Sequence, residues 1–211
     1  LLLLSILRHS GALGNTIFFI CSAWFLLDSK KTNFQKILRM LADVWIISVL
    51  WLITALLIGK AEIPEHLIRF SFLPTIKQNN WYISYYILFC FVYPPLNVLL
   101  RSCKQKLHLI LTIVFLVCLC TNCFFGFPSI PHLAQWCMTY VCIAYFKRYG
   151  ERFCNSKKAN VILLLVGIFG TLTLFFATNI VGLKHPELKI SLLKWAGNSN
   201  VFMMFFSFAA L

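Results

Sequence analysis

The side chains in this chain that could do chemistry are few, and most sit in apolar surroundings. Asn15, Thr16 and Ser22 interrupt one long apolar run, and Ser84, Tyr85, Tyr86 and Asn97 interrupt another. A hydroxyl or amide held in hydrocarbon has two uses: hydrogen bonding to a neighbouring helix, or lining a path for a polar group. Cys118, Cys120 and Cys123 form a C-x-C-x2-C cluster, the type of residue that ligates zinc as thiolate. Such a site needs further ligands and charge compensation, and the nearest histidine, His108, is more than two helical turns away, so the three are read as small packing residues. The other histidines, His9, His66, His132 and His185, like His108, fall near span ends or in loops and read as interfacial, solvated groups. Asp43 is the one acid within a predicted span, with Arg39 four residues earlier on the same face. That spacing fits an ion pair at the membrane rim or an ionisable site facing the bundle interior.

The elements that must position these groups follow from composition. Of 211 residues, 60% are hydrophobic, 21 are Phe and only 12% are charged, with a mean hydropathy of +0.83. A soluble domain of this size has too little interior to hide that much apolar surface. The charged residues gather between uncharged runs, most of which reach the roughly 20 residues a helix needs to cross a bilayer. Seven spans are predicted, at about 9–27, 40–59, 81–100, 107–126, 131–147, 160–183 and 198–211. The 40-residue uncharged run is divided at Gly126–Pro131, where Pro128 and Pro131 interrupt helical bonding. No strict alternation supports a membrane barrel, so the fold class expected is all-α, a polytopic transmembrane helix bundle forming a single membrane domain.

The net charge of +13 would suggest nucleic acid if it were spread over one surface. Instead, twelve of the 19 Lys and Arg residues occupy the alternate loops 28–39, 101–106 and 147–158. Excess Lys and Arg marks the cytoplasmic side, so these loops are expected to face inward and no nucleic-acid partner is expected. The first visible span then runs from outside to inside. Leu1–Leu7 reads as the tail of a preceding helix, and the chain as a piece of a longer protein. Cys103 and Cys154 fall in the inferred cytoplasmic loops, and no disulfide framework is expected.

Two segments carry more than hydrophobicity. Gly11-Ala12-Leu13-Gly14, followed by Phe18-Phe19 and Ser22-Ala23-Trp24-Phe25-Leu26, resembles the G-x-x-G-x-x-x-F-F-x-x-S-G-F/W-F-L stretch of the acyltransferase-3 family of integral membrane O-acyltransferases. Trp81-Tyr82, Tyr85, Pro94-Pro95 and Leu96 lie in a stretch similar to that family's W-F-x-x-x-Y-x-x-x-Y-x-x-x-P-x-L. Ala144, Tyr145, Lys147 and Arg148 resemble the end of a later family helix, and Trp195–Ser199 its short N-S segment. Ala23 stands where the family usually has Gly. The family's first helix carries an Arg and, about three turns later, a His essential for acyl transfer; Arg8 and His9 lack that spacing, so the role is not transferred to His9 and the family's His is not found in this chain.

The resemblance implies transfer of an acyl group, usually acetyl, from acyl-CoA (acetyl-CoA) as donor substrate to a hydroxyl on a cell-surface polysaccharide or lipid-linked sugar. No permanently bound cofactor is implied. Such chemistry needs a base for the acceptor hydroxyl and donors for the oxyanion. Ser22, Trp81 and Tyr85 lie in these motif segments and are the expected catalytic residues; Lys30, Lys31 and Arg39 are expected to attract the phosphate-rich donor. The expected setting is multi-pass in the plasma membrane, in contact with membrane lipid. Two other readings fit the same composition: a glycolipid transporter or flippase, and a catalytically inactive membrane subunit. Transporters often show paired broken helices, and Pro94-Pro95 has no counterpart in a second half.

Overall fold

The computed structural model describes residues 2–29, 33–58, 68, 71–72, 81–125, 131–150, 156–184 and 204; within these, no side chain is described at 2–13, 81, 123–125, 174–175, 177–179 and 181–184. Among the described residues the chain is helical, with no strand. The helices are α1 (Leu2–Leu26), α2 (Phe34–Ile58), α3 (Trp81–Ser102), α4 (Gln105–Phe125), α5 (His132–Tyr149) and α6 (Lys157–Lys184). Three segments are long and apolar enough to cross a membrane: Phe34–Ile58, Tyr82–Ser102 and Gln105–Asn122. The expected count of seven exceeds what the described residues establish, and the span at 198–211 lies outside them apart from Met204.

The helix ends differ from expectation for local reasons. α1 is continuous from Leu2, so Leu2–Leu7 belongs to the same helix as the residues that follow rather than to a separate one. α2 starts six residues earlier than predicted because Asn33 caps it: Lys36 N donates to Asn33 Oδ1 at 3.2 Å. That side-chain oxygen satisfies one of the four orphan N–H groups of the first turn. Ser156 caps α6 in the same way, accepting from Ala159 N at 3.3 Å. Pro94 and Pro95 lie inside α3 without ending it, although each removes a backbone donor.

The chain divides into two compact units, Leu1–Ser29 with Leu96–Leu211, and Lys30–Pro95. In the second unit α2 buries only Ile37, Val44 and Leu52, one narrow stripe. Past the exposed Arg39 and Asp43 its remaining surface is largely apolar, with Leu57 82% and Trp51 71% exposed. Holding such side chains in water would forfeit roughly 1.5–3 kcal/mol each, so this face is built for lipid.

The first unit is organised around α5. It is the most buried helix, hiding Gln135 and the continuous run Thr139–Ala144. α4 and α5 form an antiparallel pair: His108 meets Val141, Thr112 meets Cys142, and Asn122 meets Gln135. α1 packs on α5, with the Phe19 and Trp136 rings 4.6 Å apart; buried Phe19, Ala23 and Leu27 form a stripe of four-residue spacing that ends one residue past the helix. Ala23 is fully buried in this stripe, so its methyl is accommodated. Two buried hydroxyls are kept satisfied: Thr112 and Thr139 each donate to the carbonyl four residues back at 2.8 Å, which lets a hydroxyl sit in an apolar helix without an unpaired donor.

Candidate functional site

In the first unit the C-terminal ends of α1, α3 and α5 meet. Each leaves backbone carbonyls without intrahelical partners, and side chains from the other helices supply the donors. Asn97 on α3 donates from Nδ2 to Leu26 O at 2.9 Å and to Ser29 O at 3.1 Å. Its Oδ1 accepts from the Tyr140 hydroxyl of α5 at 2.7 Å. Asn97 and Tyr140 are both buried, so this network pins three helices without help from solvent.

Lys147 and Arg148, in the last turn of α5, complete the junction. Lys147 Nζ donates to Trp24 O and to Asp28 Oδ2, the latter at 2.8 Å, and lies 5.0 Å from the Trp24 ring centroid. Asp28 is 76% exposed in its side chain, so solvent screens the pair and its worth stays under about 1 kcal/mol. Arg148 donates from NH1 to Leu100 O. Beside these groups is a pocket of about 530 Å³ lined by Leu27, Asp28, Arg101, Lys147, Arg148 and Tyr149. Three cations there face one carboxylate. The three helix ends contribute about half a negative charge each, an effect confined to the last turn, roughly −1.5 against the net +2 of these side chains. The pocket therefore retains a positive bias.

His108 stands behind the wall of this pocket and is fully buried. Its Nε2 is 3.1 Å from Val141 O; a carbonyl only accepts, so Nε2 carries the proton. In the neutral ring Nδ1 is then a bare acceptor, and it has no hydrogen-bond partner. The ring lies edge-on to Tyr145 and Tyr149, at centroid distances of 5.4 and 5.8 Å. The expectation of a solvated, interfacial His108 is overturned: the face of α4 that carries it is the face packed on α5.

The residues singled out from sequence fall in both units. Ser22 is half-buried on α1 in the first unit, and Tyr85 half-buried on α3 in the second. Trp81 opens α3, but its side chain lies outside the described residues, as do Lys30 and Lys31. Arg39 and Asp43 are exposed on α2, and no ion pair joins them among the described residues, because each extends into the surroundings. Cys118 and Cys120 carry free, half-buried thiols; Cys123 lies outside the described side chains. Asn97 proves to be a structural clamp. Missed from sequence were Asp28, Arg101 and Tyr149, while Lys147 and Arg148 had been valued for charge and motif position. One signal did foreshadow the cluster: the starts of loops 28–39, 101–106 and 147–158, grouped by charge, are the three segments found in contact.

No curated protein and no solved structure matches the chain. The family described as Acyltransferase domain matches residues 4–211, nearly the entire length and including both motif segments. An all-helical architecture with long apolar helices accords with the motifs, and the chain belongs to the acyltransferase-3 family of membrane acyltransferases.

Proposed function

We propose that the protein is an integral membrane O-acyltransferase that moves an acetyl group from acetyl-CoA to a hydroxyl of a cell-surface polysaccharide or lipid-linked sugar. The observation that carries this reading is the family match over residues 4–211. The junction of three helix ends under three basic side chains supports it by offering a place for a phosphate-rich donor. In the reaction the acceptor oxygen attacks the thioester carbonyl, and a base takes the hydroxyl proton. The carbon–sulfur bond then breaks, and the departing thiolate of coenzyme A is protonated. Ser22, Tyr85 and Trp81, in the family motif segments, are the proposed catalytic residues, with Lys30, Lys31 and Arg39 proposed to draw in the donor. The basic loops 28–39, 101–106 and 147–158 face the cytoplasm of a plasma-membrane protein, where acyl-CoA is made.

The reading is tested with membranes carrying the protein, radiolabelled acetyl-CoA and native surface glycan. Label should enter the glycan, and Ser22→Ala and Tyr85→Phe should each lower the rate at unchanged protein level. Equal labelling by both variants removes Ser22 and Tyr85 from the site. A glycolipid flippase would instead give glycan exposure with no acetyl incorporation.

A further inference from the structure

We infer that the pocket formed by Arg101, Lys147, Arg148 and Tyr149 is a phosphate-binding site; the inference rests on the acyltransferase reading only in naming coenzyme A as one source of the phosphate. Its volume of about 530 Å³ falls in the range of small-molecule sites, roughly 300–1,000 Å³. Two of its three cations are held in place before any ligand arrives. Lys147 is tethered to Trp24 O and Asp28, and Arg148 to Leu100 O, so neither loses much rotamer freedom on binding. Both retain unused donors, since an ammonium has three N–H groups and a guanidinium five. Arg101 is exposed on the last turn of α3 and has no hydrogen bond among the described residues. It is the cation free to close on a ligand, in the bidentate geometry that guanidinium offers phosphate.

The carboxylate of Asp28 gives the proposal its sign. It lines the same pocket and repels an incoming anion while tethering Lys147. A structural junction alone would be weakened by losing Asp28; a phosphate site is improved. The phosphate has two possible carriers, the coenzyme A donor and an anionic lipid headgroup, since basic pockets between membrane helices accept headgroups too.

The experiment uses the whole protein in phosphatidylcholine nanodiscs, with inorganic pyrophosphate as the calorimetric probe. Wild type should bind. Arg101→Gln, a change at an exposed residue, should weaken binding about tenfold, the equivalent of one charge-assisted hydrogen bond. Asp28→Asn should tighten it about threefold, the scale of one screened exposed charge. Lys158→Gln, exposed and outside the pocket, should change nothing. Absence of pyrophosphate binding, equal affinity in Arg101→Gln, or weaker binding in Asp28→Asn would overturn the proposal. Competition by coenzyme A identifies the soluble carrier, and loss of the pyrophosphate signal in phosphatidylglycerol nanodiscs identifies the headgroup; either outcome supports the phosphate site. Binding is read without turnover, so a protein that binds but transfers no acetyl refutes the enzyme reading alone. One that transfers acetyl with equal pyrophosphate affinity in Arg101→Gln refutes the pocket alone.

Discussion

Replacing Tyr140 by Phe tests the junction that holds the site together. The substitution keeps the ring and removes a hydroxyl that donates to Asn97 Oδ1 at 2.7 Å. Tyr140 is 0% and Asn97 2% exposed, so neither water nor lipid can replace the lost partner. Hydrogen bonds between membrane helices average only about 0.6 kcal/mol, with a maximum near 1.7. A fully buried acceptor left without a donor belongs at the upper end, so Tyr140→Phe should cost about 1.5 kcal/mol. Asn97→Ala removes this bond and also the two donors to Leu26 O and Ser29 O, and should cost about 2–3 kcal/mol. On the Asn97→Ala background that bond is already gone, so adding Tyr140→Phe should cost clearly less than it does in the wild type. Unfolding free energies of the four proteins in bicelles, by detergent titration, complete the double-mutant cycle. If Tyr140→Phe costs the same on both backgrounds to within about 0.3 kcal/mol, the two side chains are independent and the reasoning fails.

Other predictions follow from single contacts. A Cβ at Gly150 would lie 2.7 Å from Phe146 O, whereas one at Gly14 would meet nothing within 4 Å; Gly150→Ala should destabilise the protein by about 1–2 kcal/mol and so lower its melting temperature, while Gly14→Ala leaves the melting temperature level or raises it. Lys147→Met, which loses the Trp24 carbonyl, the Trp24 ring and Asp28 together, should cost about 2 kcal/mol, clearly more than Asp28→Asn in the same thermal assay. Cys103 is a free, half-buried thiol in a loop proposed to face the cytoplasm. In a Cys154→Ser background a membrane-impermeant maleimide should label it in inside-out vesicles and not in intact cells.

The helices were legible because a bilayer imposes a length and excludes charge, and both are visible in the spacing of Lys and Arg. Their ends were less so. Counting charges hid the Asn33 cap, since Lys36 and Arg39 are helical yet charged, and Pro94-Pro95 looked like a break that α3 passes through. The expected break at Gly126–Pro131 lies outside the described residues apart from Pro131; the flanking helices are described to Phe125 and from His132. The site was the least legible part. α4 is apolar around most of its circumference, so its sequence does not announce that His108, Thr112 and Leu119 share the packed side. The partners Asn97 and Tyr140 are 43 residues apart, and no local pattern links them. Lys147 and Arg148 were counted as orienting charges; that they also cap α1 and α3 follows only from where three helices end together.

Acetyl incorporation tests the central claim most directly. Membranes with and without the protein receive radiolabelled acetyl-CoA, and the label on purified surface glycan is measured before and after mild alkali. The account predicts label that depends on the protein and is released by alkali, the signature of an O-acetyl ester. Label that is equal in both membranes, or that survives alkali, would contradict it.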